Sequence, residues 1–137
     1  QAGSRRIAIV SRGALLWPLE GEIPSGFGVR RHPLFRIAKM HTGVDIASTW
    51  GTPVRAAGDG EVIYAGWFGG YGKIVVIDHG GGLSTLYAHL SAILVELGQQ
   101  VKRGQIIGRV GSTGYSTGPH LHFEIRIDGR PVDPLAR

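Results

Sequence analysis

The chain has 137 residues, 23 of them glycine and none cysteine, with 42% hydrophobic residues and a formal net charge of +5. That length and apolar content fit one folded domain with a substantial core, and the absence of cysteine excludes a disulfide framework or a thiolate metal site. The basic balance favours an anionic partner, yet the cations come as short pairs (Arg5-Arg6, Arg30-Arg31, Lys102-Arg103) with no nucleic-acid motif, so nucleic acid is not expected as a partner.

Residues 1–16 read as a linker or the remnant of a preceding segment. The chain opens at Gln1 without an initiator methionine and no signal peptide is recognisable, as expected of a domain excised from a longer protein. No run of 18 apolar residues spans a membrane, so membrane attachment is expected only through missing flanking regions. Residues 28–40, GVRRHPLFRIAKM, read as a longer loop in which Pro33 holds His32 extended; His32 suits a loop anchor or a substrate contact. In MHTGVDIAS, residues 40–48, His41 and Asp45 lie four apart with Gly43 between them. Asp45 also suits a simple turn.

Glycine then punctuates short β-type runs, the pattern of an antiparallel sandwich or barrel-like sheet with no long amphipathic helix. Glu61 to Ala65 and Lys73 to His79 are predicted strands around a Gly66–Gly72 turn, and His79 reads as a turn-flanking residue. In the following strand, Leu83, Thr85, Tyr87 and His89 share one side. His89 could thus face a site or rest half-buried on a backbone carbonyl. Val95 to Gly114 alternates apolar pairs with glycines, as tight strands and turns do, and Ser112 to Pro119 forms a loop.

That loop delivers the most informative stretch, PHLHFEIRI at 119–127. Strict alternation puts Leu121, Phe123, Ile125 and Ile127 on a core face and His120, His122, Glu124 and Arg126 on the other. The two imidazoles stand roughly 6–7 Å apart, twice the strand rise. Such a pair also suits the solvated face of a sheet, but His41 and Asp45 change its meaning. Catalytic zinc takes three protein ligands, His and Asp among them, and leaves the fourth position to water; His41, Asp45 and one histidine of the 120/122 pair supply three. Glu124 suits either a surface carboxylate or an orienting partner for a metal-bound histidine.

Taken together, SGFGVRRHP (25–33), HTGVDIA (41–47), GTPVRAAGDGEVIYAG (51–66), GYGKIVVIDHG (70–80), TLYAHLS (85–91), VKRGQIIGRVGSTGYSTGPHLHFEIR (101–126) and VDP (132–134) resemble, in this order, the lysostaphin-type zinc metallopeptidases, the LytM domain family that cuts the peptide part of peptidoglycan. The resemblance implies an all-β fold, a mainly antiparallel sheet with a long groove and few or no helices, over residues 17–137. It implies one zinc ion per chain, with His41, Asp45 and His122 as ligands and water in the fourth position, and His89 and His120 as the two catalytic histidines. The substrate would be a peptidoglycan peptide, and the location periplasmic or extracellular. A regulatory protein or an inhibitory segment is expected to restrain such an enzyme. The glycine-bridge-cutting branch is expected to carry a tyrosine before the first metal histidine. Here Phe35 stands six before His41 and no tyrosine precedes Tyr64, which favours D-alanyl to diamino-acid cross-links. Some members are inhibited by an upstream asparagine on the zinc; this chain has no asparagine.

Three other classes compete. A catalytically inactive LytM module that binds the wall and activates a separate amidase would usually lack some of the five residues, and all five are present. A non-haem iron oxygenase also uses two histidines and a carboxylate, but its pattern is His-x-Asp rather than His-x-x-x-Asp. A lipoyl- or biotinyl-type carrier, suggested by QVKRGQIIG and Lys39-Met40, has no use for the histidine set.

Overall fold

Short runs of β-branched and apolar residues separated by glycine favour extended chain over helix. The computed structural model describes residues 6–9, 13–19, 28–31 and 38–134, with side chains at 15–19 and 42–134. Its strands are β1 (Arg6–Ile9), β2 (Gly13–Leu16), β3 (Gly28–Arg31), β4 (Ala38–His41), β5 (Val44–Ala47), β6 (Pro53–Arg55), β7 (Gly60–Trp67), β8 (Lys73–Gly80), β9 (Leu83–Ile93), β10 (Gln100–Val101), β11 (Ile106–Val110), β12 (His120–Ile127) and β13 (Arg130–Val132). Gly69–Tyr71 makes a single 3₁₀ turn, and no α-helix occurs among the described residues. The all-β, antiparallel expectation holds.

The main sheet runs β10-β7-β8-β9-β11-β6, and β12 joins it through β9 while also pairing with β5 and β13. One edge of β9 is held by β8 along most of its length. The other edge is shared: β12 occupies Leu83 to Ala88, and β11 takes over from Leu90 to Ile93. The sheet therefore forks beside His89, the one residue between the two pairings.

Below the fork lies the core. Tyr87, Phe123, Ile46, Ile77, Leu83, Leu90, Ile107, Leu121 and Ile125 are fully buried, each contributing roughly 1.5–3 kcal/mol through the apolar surface it withdraws from water. Phe123 packs on Tyr87 at 5.4 Å and on Trp17 at 6.0 Å between ring centroids. Leu15, two residues ahead of the expected domain start, is buried in the same cluster, and the Leu16 amide donates to the Ala57 carbonyl at 2.9 Å.

Three expectations change. Residues 28–40 are not one long loop: β3 pairs with β4 from Gly28 opposite His41 to Arg31 opposite Ala38. Proline and the basic pair read as irregular chain, whereas backbone pairing needs no particular side chains on either strand; His32, Pro33 and Phe35 themselves lie outside the described residues. The polar row of β12 is also not an open surface. His122 and Glu124 are buried with 6% and 0% exposure, because the Gly69–Tyr71 turn and the loop after β11 lie beside that face. Conversely Ile127, expected in the core, is exposed at the strand's end.

His79 does more than flank a turn. It lies within β8, where its Nδ1 donates to the Asp59 carbonyl at 2.7 Å and its Nε2 accepts from Thr85 Oγ1 at 2.7 Å. Thr85 in turn accepts from the Tyr87 hydroxyl at 2.7 Å, which accepts the Ala57 amide at 2.9 Å. Burial lowers the His79 pKa below its usual 6.5, only partly opposed by the Asp59 carbonyl and the charges of Asp78 and Asp59. The native state thus binds fewer protons at His79 than the unfolded chain does, so its contribution is complete above pH 6.5 and is lost as pH falls through the lower native value. Urea midpoints at pH 7.5 and 5.5 should therefore differ more in the parent than in His79→Gln, whose amide can keep both hydrogen bonds; an equal difference in the two proteins refutes this assignment.

Candidate active site

Strand register brings the first two site residues together. β5 and β12 pair so that Asp45 lies directly opposite His122, and the Asp45 Oδ1 stands 2.8 Å from His122 Nδ1 and 3.7 Å from His120 Nε2. Close approach of the segment before β5 depends on Gly43. A Cβ there would strike the Phe123 carbonyl oxygen and come within 2.8 Å of the Glu124 Cγ.

The other nitrogen of His122 meets Glu124 Oε2 at 2.8 Å. That oxygen also accepts from Thr42 Oγ1 at 2.6 Å and the Tyr71 hydroxyl at 2.7 Å, while Oε1 takes Arg126 at 2.6–2.7 Å. Burial alone would raise the Glu124 pKa, but donation by His122, Thr42 and Tyr71 overrides it and pulls the value down to about 2. Glu124 is therefore an acceptor at every working pH, and His122 must give it the Nε2 proton. The Nδ1 then confronts a carboxylate oxygen. Two acceptors at this distance need a positive charge: a second proton on the ring or a cation. In the protein alone the proton is favoured, since burial lowers the His122 pKa but the hydrogen bonds to Asp45 and Glu124 raise it to about 9.

His89 reaches the site by breaking its strand's alternation. Tyr87 and Thr85 face the core opposite Phe123 and Ile125, so a regular strand would send His89 to the core side as well. Instead its φ is +62°, and the pairing to β8 slips: Val75 lies opposite Tyr87, yet Lys73 lies opposite Leu90. The extra residue turns His89 onto the His120/His122 side and returns Leu90 to the core, a re-aiming typical of bulges. Left-handed backbone costs a non-glycine residue about 1–3 kcal/mol. The predicted side-sharing of Leu83, Thr85, Tyr87 and His89 thus fails at its last member.

The result is a set of rings in contact: His89 lies 4.9 Å from His120 and 6.1 Å from His122 by centroids. The His89 Nδ1 donates to the Thr113 carbonyl at 2.6 Å, and the His120 Nδ1 to the Gly118 carbonyl at 2.9 Å with Ser116 Oγ at 3.2 Å. With Nδ1 as the donor, the Nε2 of each ring faces away from these carbonyls. Burial lowers the His89 pKa against the pull of the Thr113 carbonyl, which keeps that ring neutral at pH 7. An open cavity of about 440 Å³ is lined by Asp45, His89, His120 and His122 together with Tyr71 and Tyr115.

Among the described residues no three His, Asp or Glu side chains form a metal cage by themselves. Asp45 and His122 present two suitable donors with the Nδ1 aimed at the carboxylate. The third predicted residue, His41, ends β4; its side chain lies outside the described residues. The donor chemistry fits zinc.

The family model of "Peptidase family M23" matches residues 39–134. The chain belongs to peptidase family M23. This M23 chain is 54% identical over 114 residues to the DD-carboxypeptidase/endopeptidase Mpg of Neisseria meningitidis, covering 83% of the chain and 26% of that protein. It thus spans about a quarter of that relative's length. Among solved structures, a zinc-containing peptidase from Vibrio cholerae superposes with a TM-score of 0.85 at 40% identity, covering 98% of this chain and 40% of that one. The catalytic domain of lysostaphin from Staphylococcus simulans superposes with a TM-score of 0.75 at 40% identity, covering 84% and 90%.

Four of the five residues singled out in this M23 sequence, Asp45, His89, His120 and His122, therefore line one cavity, and His41 is placed by its backbone alone. Sequence reasoning missed Thr42, Tyr71 and Thr113. Tyr71 sat in a glycine-rich turn and Thr113 in a loop, positions whose side chains are assigned no partner by periodicity.

Proposed function

We propose that this chain is a zinc-dependent endopeptidase domain that hydrolyses peptide cross-links of peptidoglycan, cutting D-alanyl to diamino-acid bonds rather than glycine bridges. The observation that carries this reading is the convergence of Asp45 and His122 with His89 and His120 on one cavity in an M23 chain. His41, Asp45 and His122 would hold the zinc, with water in the fourth position. When bound, zinc supplies a Lewis acid for the scissile carbonyl and lowers the pKa of that water toward neutrality.

The protein's own groups do the rest. Glu124 fixes the His122 tautomer, so that Nδ1 is the donor nitrogen. His89 and His120, each with Nδ1 committed to a carbonyl, offer Nε2 to accept the water proton and to serve the leaving amine, help typically worth about 10²–10⁴ in rate. The named activity of the Neisseria relative supports the choice of a D,D-bond, as does Phe35 where the glycine-bridge branch would carry tyrosine. A periplasmic or extracellular location follows from the substrate, and restraint by a regulatory protein or an inhibitory segment follows from the danger of an unrestrained wall hydrolase.

Purified sacculi and defined cross-linked muropeptides, incubated with and without a zinc chelator and read by mass spectrometry, test this directly. Chelator-sensitive scission at the D-alanyl to diamino-acid bond is expected. Scission of glycine bridges alone overturns the bond assignment. No scission by folded, zinc-loaded protein overturns the enzyme reading in favour of an amidase-activating module.

A further inference from the structure

We infer that Thr113 is the positioning residue for His89, locking both the break in β9 that turns this histidine to the cavity and the ring nitrogen that carries its proton. The inference rests on the catalytic role proposed for His89. Thr113 touches the break from both strands at once. Its Oγ1 donates to the Leu90 carbonyl at 2.8 Å and accepts the Lys73 amide at 3.0 Å, and Leu90 and Lys73 are the pair at which the β8–β9 register resumes after slipping. Without Thr113, the break would leave this amide and this carbonyl in want of partners, because the ladder cannot serve both sides of an extra residue. The Thr113 carbonyl takes the third bond, from His89 Nδ1 at 2.6 Å.

A hydroxyl is required at this place because one atom must both donate a hydrogen bond, to the Leu90 carbonyl, and accept one, from the Lys73 amide. Neighbouring glycines hold it there. A Cβ at Gly72, which has φ +71°, would come within 2.5 Å of Thr113 Oγ1, and one at Gly114 would strike the Gly70 carbonyl and the Gly72 amide. The turn after β7 and the loop after β11 thus interlock through backbone beside Thr113.

Thr113→Val keeps the shape and removes the hydroxyl, whereas Thr113→Ser keeps the hydroxyl. With zinc-loaded protein and a defined muropeptide, the valine variant is expected to lose kcat by roughly 10²-fold, the scale of a displaced catalytic group, with KM and zinc content unchanged; the serine variant should stay within a few-fold of the parent. Ring ¹⁵N shifts of His89 supply a readout that does not depend on turnover: a single Nδ1–H tautomer in the parent and serine proteins, a mixture in the valine protein. A valine variant with parental kcat, a serine variant as impaired as valine, or an unchanged His89 tautomer in the valine protein overturns the inference. If the valine protein does not fold, an impaired serine protein or a mixed His89 tautomer in the parent still overturns it. Should the parent hydrolyse nothing while the tautomer shifts with valine, the proposed reaction fails and the lock stands.

Discussion

Replacing His122 by alanine should remove zinc binding and hydrolysis together. The ring is one of two donors that the described residues bring to a single point, and its Nδ1 meets Asp45 at 2.8 Å. On the proposed ligand set its loss leaves only Asp45 and His41, one short of the three protein ligands that catalytic zinc sites use. The loss of several kcal/mol of charge stabilisation at the reacting carbonyl corresponds to a fall of about 10³-fold or more in kcat/KM. Glu124 keeps donors from Thr42, Tyr71 and Arg126, so the buried carboxylate is not orphaned and the sheet should persist. Metal content measured beside circular dichroism separates the cases, since a lost ion can also loosen its site. Parental zinc content or parental turnover in a folded His122→Ala protein sinks the ligand assignment.

Replacing His89 should do the opposite to the metal and the same to turnover. In the role proposed for it the ring moves protons and does not hold the ion, so zinc content should equal that of the parent while kcat falls by roughly 10²–10⁴. Alanine at this position confounds chemistry with backbone, because φ is +62° and alanine tolerates that region poorly. Asparagine tolerates it better and can still donate to the Thr113 carbonyl. His89→Ala and His89→Asn should therefore be equally impaired in turnover, with asparagine the more stable of the two to thermal melting. A zinc-free His89→Asn protein, or one with full activity, refutes the role.

Much of this arrangement was legible in local pattern. Residues 119–127 alternate so strictly that β12 and its two faces were readable from sequence, as was the hairpin around Gly66–Gly72. The face of His89 was not, since period-two reasoning assumes an unbroken strand and the break sits where Lys73 and Thr113, distant in sequence, meet β9. Burial of His122 and Glu124 was equally hidden: whether a polar row is solvated depends on what covers it, here the Tyr71 turn and the loop at 112–117. The choice of His122 over His120 as the metal-facing ring came from family resemblance; strand register, invisible to local pattern, places His122 directly opposite Asp45.

The bare residue inside the His-x-x-x-Asp motif has a consequence for anyone wishing to move this site elsewhere. Gly43 lies against the Phe123 carbonyl with no room for a methyl group, so the glycine within the motif encodes a clearance between two neighbouring segments of the sheet. A grafted His-x-x-x-Asp pair on another scaffold would present the right atoms at the wrong depth unless its middle position were also stripped of a side chain. In sequence searches, a glycine at that point therefore reports on strand proximity, and a chain with all the donor residues but a bulky residue there would need a different path for the segment leading into β5.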